Sequence, residues 1–124
     1  MFNKKGKKNW LFCDGYLPPH GENPDFQGHE ALMITNITKK DAKITLDFIF
    51  ENKEPICGIP VELKSMRTIG IRLDLLEKDG KPLLTESEQY TVWVKSNVKV
   101  CACFGRLDVR QTNMAYYSVE GYAF

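Results

Sequence analysis

Apolar and polar residues alternate with a period of two along most of the chain, the pattern of half-buried β-strands. "KITLDFIF" sets Ile44, Leu46, Phe48 and Phe50 on one face and Lys43, Thr45 and Asp47 on the other. "QYTVWVKS" separates Tyr90, Val92 and Val94 from Thr91, Trp93 and Lys95, and "VKVCACF" aligns Val98, Val100, Ala102 and Phe104. "IPVELK" and "RTIGIRL" alternate in the same way through Val61 with Leu63 and Ile69 with Ile71. "GHEALMITN" and "MAYYSVEGYAF" are rich in β-branched and aromatic residues, and "NWLFCDG" is placed to open the sheet.

Turn formers punctuate these runs. "LPPHGENPDFQG", with three prolines, reads as a long irregular loop. "TNITKKDA" and "ENKEP" read as hairpin connections, "EKDGKP" as a turn, and Leu73 to Glu77 as one helical turn. "SNV", Ser96 to Val98, reads as a tight link between two strands. No segment sustains a helical period. The expectation is an all-β, jelly-roll-like antiparallel β-sandwich forming a single domain over residues 10–124, behind a flexible basic segment over 1–9.

A chain of 124 residues suits one domain with a modest core. A formal net charge of +1 offers no field of one sign to recruit nucleic acid or a membrane surface. The local exception is "NKKGKK", either a solvated terminus or a phosphate-binding arm that would lay Lys4, Lys5, Lys7 and Lys8 on DNA. No apolar run is long enough for a membrane span, and "WLFC", interrupted by Asp14, is too short for a secretion signal, so a cytoplasmic location is expected. The four cysteines then read as reduced thiols packed as small buried apolar groups. Cys101 and Cys103 are two apart, which is not the C-x-x-C of zinc or redox sites.

The arginines are segregated. All four (Arg67, Arg72, Arg106 and Arg110) fall in two strand-like segments, while the thirteen lysines are spread elsewhere. Arginine offers a planar fork of donors for carboxylates, phosphates or hydroxyls, so segregation implies fixed geometry. In "FGRLDVRQTN", strand alternation puts Arg106, Asp108 and Arg110 on one face and Leu107 and Val109 on the other, with the apolar pair expected against the core. Asp108 between two arginines should be ionised and hydrogen-bonded. Glu30 shares parity with Leu32 and Ile34, so its carboxylate either meets an arginine or leans into water at the strand end. The arginines either grip a ligand or bridge subunits through Glu30 and Asp108, and the interface reading is preferred.

Tyr16 precedes Pro18 and Pro19, which stiffen the chain. That segment either covers a sheet edge or presents Tyr16 and His20 to a ligand. His29 opens a strand on the face opposite Glu30, and no spacing joins it to further metal ligands. No nucleophile elbow, H-E-x-x-H or phosphate loop is present, so neither catalysis nor a cofactor is expected.

Six short motifs recur in order: "GYLPPHG", "HE" at His29 and Glu30, "KEP" at Lys53 to Pro55, "RT" at Arg67 and Thr68, "SNV", and "RLD.RQ" from Arg106 to Gln111. Together, from about Trp10 to Ala123, they resemble the soluble sensory rhodopsin transducer family. The resemblance implies a cytoplasmic all-β sandwich that assembles as a homotetramer. Its namesake couples to a light-sensing membrane receptor. Relatives without such a receptor have been read as small-molecule-binding modules for sugar-related ligands, with a link to transcription. No catalytic residues are established in that family. An assembly also agrees with Trp93, Cys101 and Cys103 standing on outward strand faces, where apolar groups need a partner surface.

The expected function is therefore non-enzymatic signalling or sensing, with a small polar or anionic ligand, or a receptor or regulatory protein, held at Tyr16, His29, Glu30, Arg67, Arg72, Arg106, Asp108, Arg110 and Gln111. The alternatives are a DNA-binding regulator and an enzyme acting on a sugar-like substrate.

Overall fold

The computed structural model describes residues 6–124. Ten strands follow one another: β1 (Lys7–Tyr16), β2 (His29–Asn36), β3 (Ala42–Phe50), β4 (Ile56–Leu63), β5 (Arg67–Arg72), β6 (Glu77–Lys78), β7 (Lys81–Pro82), β8 (Gln89–Asp108), β9 (Ala115–Val119) and β10 (Tyr122–Ala123). One 3-10 turn, Leu73–Leu75, stands where a helical turn to Glu77 was expected. Lys7 to Asn9 belong to β1 rather than to a free terminal segment, and Lys4 and Lys5 lie outside the described residues.

The architecture is all-β and antiparallel, organised around β8. The first half of this 20-residue strand pairs with β1 and β3, and its second half pairs with β2 and β9. β10 extends the first sheet beyond β1, and β4 extends it beyond β3; β5 extends the second sheet beyond β2. Ser96 to Val98 is thus no link between two strands: it lies inside β8, where the strand passes from one sheet to the other. The side chains there substitute for ladder partners. Asn97 Oδ1 accepts the Lys43 N–H at 2.7 Å, and Ser96 Oγ accepts the Val98 N–H at 3.2 Å.

The two sheets meet through the faces that the alternation assigned to the core. Ile44, Leu46 and Phe48 of β3, Val92 and Val94 of β8, and Leu32 and Ile34 of β2 are all buried. Phe12 of β1 stacks on Phe104 of β8 with ring centroids 5.6 Å apart, joining the sheets at the centre. The β6–β7 hairpin turns through Asp79 and Gly80 at φ 55° and 78°, the positive values a two-residue hairpin turn requires.

All four cysteines are exposed, not buried. For Cys101 and Cys103 the cause is parity: the neighbours that point inward are Ala102 and Phe104. Trp93 points outward as expected but is half-covered, its ring 6.2 Å from that of Phe124 and 4.0 Å from Lys95 Nζ.

Candidate functional site

The end of β1, the start of β2 and both ends of β8 converge at one end of the sandwich. Glu30 sits at their junction, fully buried. Its Oε2 accepts the Arg106 Nε–H at 2.9 Å and its Oε1 accepts the Tyr90 hydroxyl at 2.5 Å. The Tyr16 backbone N–H donates to both carboxylate oxygens, at 3.2 and 3.0 Å. Burial pushes the Tyr90 phenol far above its ordinary value, and the Glu30 charge adds to the effect, so Tyr90 is a permanent donor. The expected arginine partner of Glu30 is therefore real. It comes from the same chain.

Arg106 also donates through Nη2 to the Asp14 carbonyl. Its guanidinium carbon lies 5.9 Å from the Tyr16 ring centroid, and that of Arg110 lies 5.7 Å from it. Tyr16 is therefore flanked by two cations at cation–π distance. A hydrogen bond with Ser87, reinforced by Arg110, lowers its phenol below the ordinary value.

Arg110 is held by Asp108, with Nε 3.0 Å from Oδ1 and Nη2 2.5 Å from Oδ2. Asp108 Oδ1 also accepts the Arg110 backbone N–H at 3.0 Å. The Arg110 hydrogen bond lowers the Asp108 carboxyl below the usual range. This ionised, hydrogen-bonded Asp108 matches expectation, but two parts of the arginine row do not. β8 ends at Asp108, so Arg110 and Gln111 stand in the following loop and not on the strand. The face assignment is also reversed: Arg106 and Asp108 continue the inward face of Phe104, whereas Leu107 and Val109 are outside the core. The inward face simply becomes polar where the sandwich opens.

Beside this cluster lies an open groove of about 630 Å³ between the Leu17–Gly28 loop and the segment after β8. Phe26, Val109 and Met114 give it an apolar side, and Asn23, Arg110 and Gln111 a polar one. A smaller hollow of about 180 Å³, lined by Asp108, Arg110, Gln111 and Tyr117, lies on the other side of Arg110. Arg110 thus projects between two concavities.

The Leu17–Gly28 loop is tied down. The Gly28 N–H donates to the His20 carbonyl at 3.0 Å, and a Cβ on Gly28 would lie 2.1 Å from the Pro19 carbonyl oxygen, so only glycine fits there. His20 Nε2 lies 2.9 Å from Asp74 Oδ2, and Arg72 Nε donates to Asp74 Oδ1 at 3.0 Å. Burial pushes the Asp74 carboxyl up, but the bonds from Arg72 and His20 outweigh it and leave the carboxyl below its usual value.

The structure brings Tyr16, Glu30, Arg106, Asp108, Arg110 and Gln111 into one neighbourhood. Arg72 belongs to the anchor of the adjoining loop, where it also reaches Gln27. His29 is on the opposite face of β2 from Glu30, with Nδ1 2.8 Å from the Gln27 carbonyl. Arg67, at the far end of β5 from Arg72, donates among the described residues to the Ser65 and Met66 carbonyls and lies away from this neighbourhood.

Tyr90, Asp74, Phe26 and Met114 were missed by sequence reasoning. Tyr90 had one legible signal, since a tyrosine among core-facing valines must place its hydroxyl on a partner. The others carry no local pattern.

A family model described as Anabaena sensory rhodopsin transducer matches residues 5–123. Among solved structures, one described as Thermotoga maritima 1070 superposes with a TM-score of 0.84 at 32% identity, over 96% of each chain. Another, described as Anabaena sensory rhodopsin transducer, superposes with a TM-score of 0.71 at 26% identity, covering 82% of this chain and 97% of that one. No curated protein sequence matches. No helix among the described residues is long and apolar enough to cross a membrane.

Proposed function

We propose, from the premise that this chain belongs to the Anabaena sensory rhodopsin transducer family, that it is a non-enzymatic sensing module working as a homotetramer. Its loop-bearing end takes up a small polar ligand and presents the result to a receptor or regulatory protein. The observation that carries this reading is the placement of Arg110. It is clamped by Asp108, faces the Tyr16 ring and stands between two concavities.

Charge narrows the ligand. Arg106 is matched by Glu30, and Arg110 by Asp108. The site therefore offers fixed donors, acceptors and an aromatic face without surplus positive charge. That combination suits a neutral hydroxyl-rich molecule, such as a sugar-related compound, better than an anion, whose desolvation would go uncompensated. Thermal melting against monosaccharides, polyols, carboxylates and phosphates tests this, because a ligand that binds the folded state raises its melting temperature. At least one neutral hydroxylated compound should shift the melt. Shifts produced only by anions, or by no compound of the panel, would overturn the reading.

A further inference from the structure

The formal net charge of +1 conceals a segregation along the sandwich. At the end opposite Glu30, β2 and β5 finish on the pair Asn36 and Arg67, which sets the loop after β2 (37–41) beside the turn before β5 (64–66). Lys39, Lys40, Lys64, Arg67 and Lys99 are exposed at this end, and none of them forms an ion pair among the described residues. The described carboxylates here are Asp41, whose Oδ1 accepts the Ser65 N–H at 2.9 Å, and Glu62, cross-strand from a further lysine, Lys43, so cations stay in excess. At the Glu30 end, by contrast, Lys53, Arg72, Arg106 and Arg110 all have carboxylate partners. Ile37 and Met66, the residues just beyond the last pair, are apolar and exposed, 41% and 63%. The loop and the turn are laced together beneath them. Buried Asn36 donates through Nδ2 to the Lys40 and Leu63 carbonyls at 2.8 and 3.2 Å, and its Oδ1 accepts the Thr38 N–H at 2.9 Å. Ser65 Oγ donates to the Thr38 carbonyl at 2.5 Å. Met66 is held at φ 56°, in the left-handed region that methionine rarely adopts, so the fold imposes its outward position.

From this we infer that this end of the sandwich docks on an anionic lipid surface, with Ile37 and Met66 entering the headgroup layer and the surrounding cations lying against the lipid phosphates and carboxylates. Cations alone would suit any polyanion, duplex DNA included. The apolar tips select the membrane. Against a phosphate backbone Ile37 and Met66 would stay in water, whereas at a bilayer they leave it while the lysines and Arg67 remain hydrated beside the headgroups. Each cation near an anionic surface strengthens binding about fivefold, so the excess at this end supplies the attraction and the two apolar tips supply the anchor. The contact is peripheral and needs no spanning segment. It also turns the groove beside Arg110 away from the lipid, so docking at one end leaves the other open to solvent.

The experiment sediments the full chain with vesicles of phosphatidylcholine alone and of phosphatidylcholine mixed with phosphatidylserine. The parent should pellet with the mixed vesicles at about 0.1 M salt, and be released at about 1 M, where the Debye length has shrunk from about 10 to about 3 Å. It should not pellet with phosphatidylcholine alone. Lys39→Glu with Lys40→Glu should weaken partition at least about tenfold. Met66→Asn, a residue that tolerates positive φ, should weaken it at least about threefold and melt like the parent. Lys78→Glu with Lys81→Glu makes the same charge change on the exposed β6–β7 hairpin and should bind like the parent. If the Lys39 and Lys40 double variant fails to fold, Met66→Asn still decides. A parent that pellets with neither vesicle, a hairpin variant that loses as much as the loop variant, or Met66→Asn binding like the parent overturns the proposal. A parent that retains duplex DNA but no vesicle also overturns it, and assigns the surface to nucleic acid.

Discussion

Arg106 of β8 and Glu30 of β2 are direct cross-strand partners whose side chains meet at 2.9 Å on the inward side of the sandwich. Glu30 is fully enclosed and the Arg106 side chain is 13% exposed, so the pair is cut off from most solvent screening. Tyr90 and the Tyr16 N–H complete the acceptor side. A carboxylate surrounded by four donated hydrogen bonds fixes the guanidinium beside it, and the ring of Tyr16 with it.

Replacing Glu30 by Gln keeps the shape and removes the charge. Arg106, 13% exposed, is then left with only the exposed Asp14 carboxylate, 3.8 Å away, as counter-ion, and breaking a buried pair from one side costs about 3–5 kcal/mol. Arg106 keeps the Asp14 carbonyl, so the loss should fall near or somewhat below the lower end. Each kcal/mol lowers the melting temperature of a domain this size by about 3–5 °C, so Glu30→Gln should melt roughly 10 °C below the parent. Tyr90→Phe, which removes one donor, should lose less. Calorimetry on both variants reads the outcome, and a Glu30→Gln melt within about 2 °C of the parent would show that the pair does not hold this end together.

Acid should loosen the site through its loop anchor. The Asp74 carboxyl is depressed below its unfolded value of 3.8. The unfolded chain therefore takes up the proton first, and the stabilisation present above pH 3.8 disappears as pH falls through the lower folded value. Asp108 and Asp47 act in the same direction. The melting temperature should thus fall as pH drops through about 3.8 and keep falling below it. Asp74→Asn should start lower at neutral pH and fall less steeply. Melts taken from neutral pH down through that value decide, and parallel slopes for the two proteins would remove Asp74 from the account.

The core of this fold was legible because its rule is local. Period-two alternation names Leu46, Phe48, Val92 and Val94 without knowledge of any partner, and all four are buried. The same rule placed Glu30 on the inward face and left it either an arginine partner or water at the strand end; Arg106 is the partner. Alternation fails where a strand does something non-local. It cannot tell that β8 runs on through Ser96 to Val98, because the side chains that permit the passage are the polar residues of an ordinary turn. Nor does it show that the inward face turns polar at Arg106, so Leu107 and Val109, apolar and adjacent, were given the wrong side. The groove is illegible for a simpler reason. Phe26 and Met114 come from loops 88 residues apart in number, and only the folded chain brings them to one cavity.

The two arginines that line up in the sequence should separate cleanly by experiment. Arg106 is structural: its charge is matched by a buried carboxylate, and Arg106→Ala would leave Glu30 enclosed without its cation. Arg110 is presented outward, 51% exposed, on a loop beyond the strand, and its partner Asp108 is reached from within two residues. Its removal leaves Asp108, 12% exposed, without its cation but with the backbone N–H of residue 110, so Arg110→Ala should melt somewhat below the parent and well above Arg106→Ala. If the groove and the Tyr16 ring form the recognition surface, the same variant should lose most of the ligand-induced shift seen with the parent's best neutral ligand. Asp108→Asn should fall between, because Arg110 keeps its charge but loses the carboxylate that aims it. Melting each variant with and without ligand gives stability and binding from one titration. Loss of binding in Arg106→Ala alone, with Arg110→Ala binding like the parent, would move recognition away from the groove and into the enclosed network around Glu30.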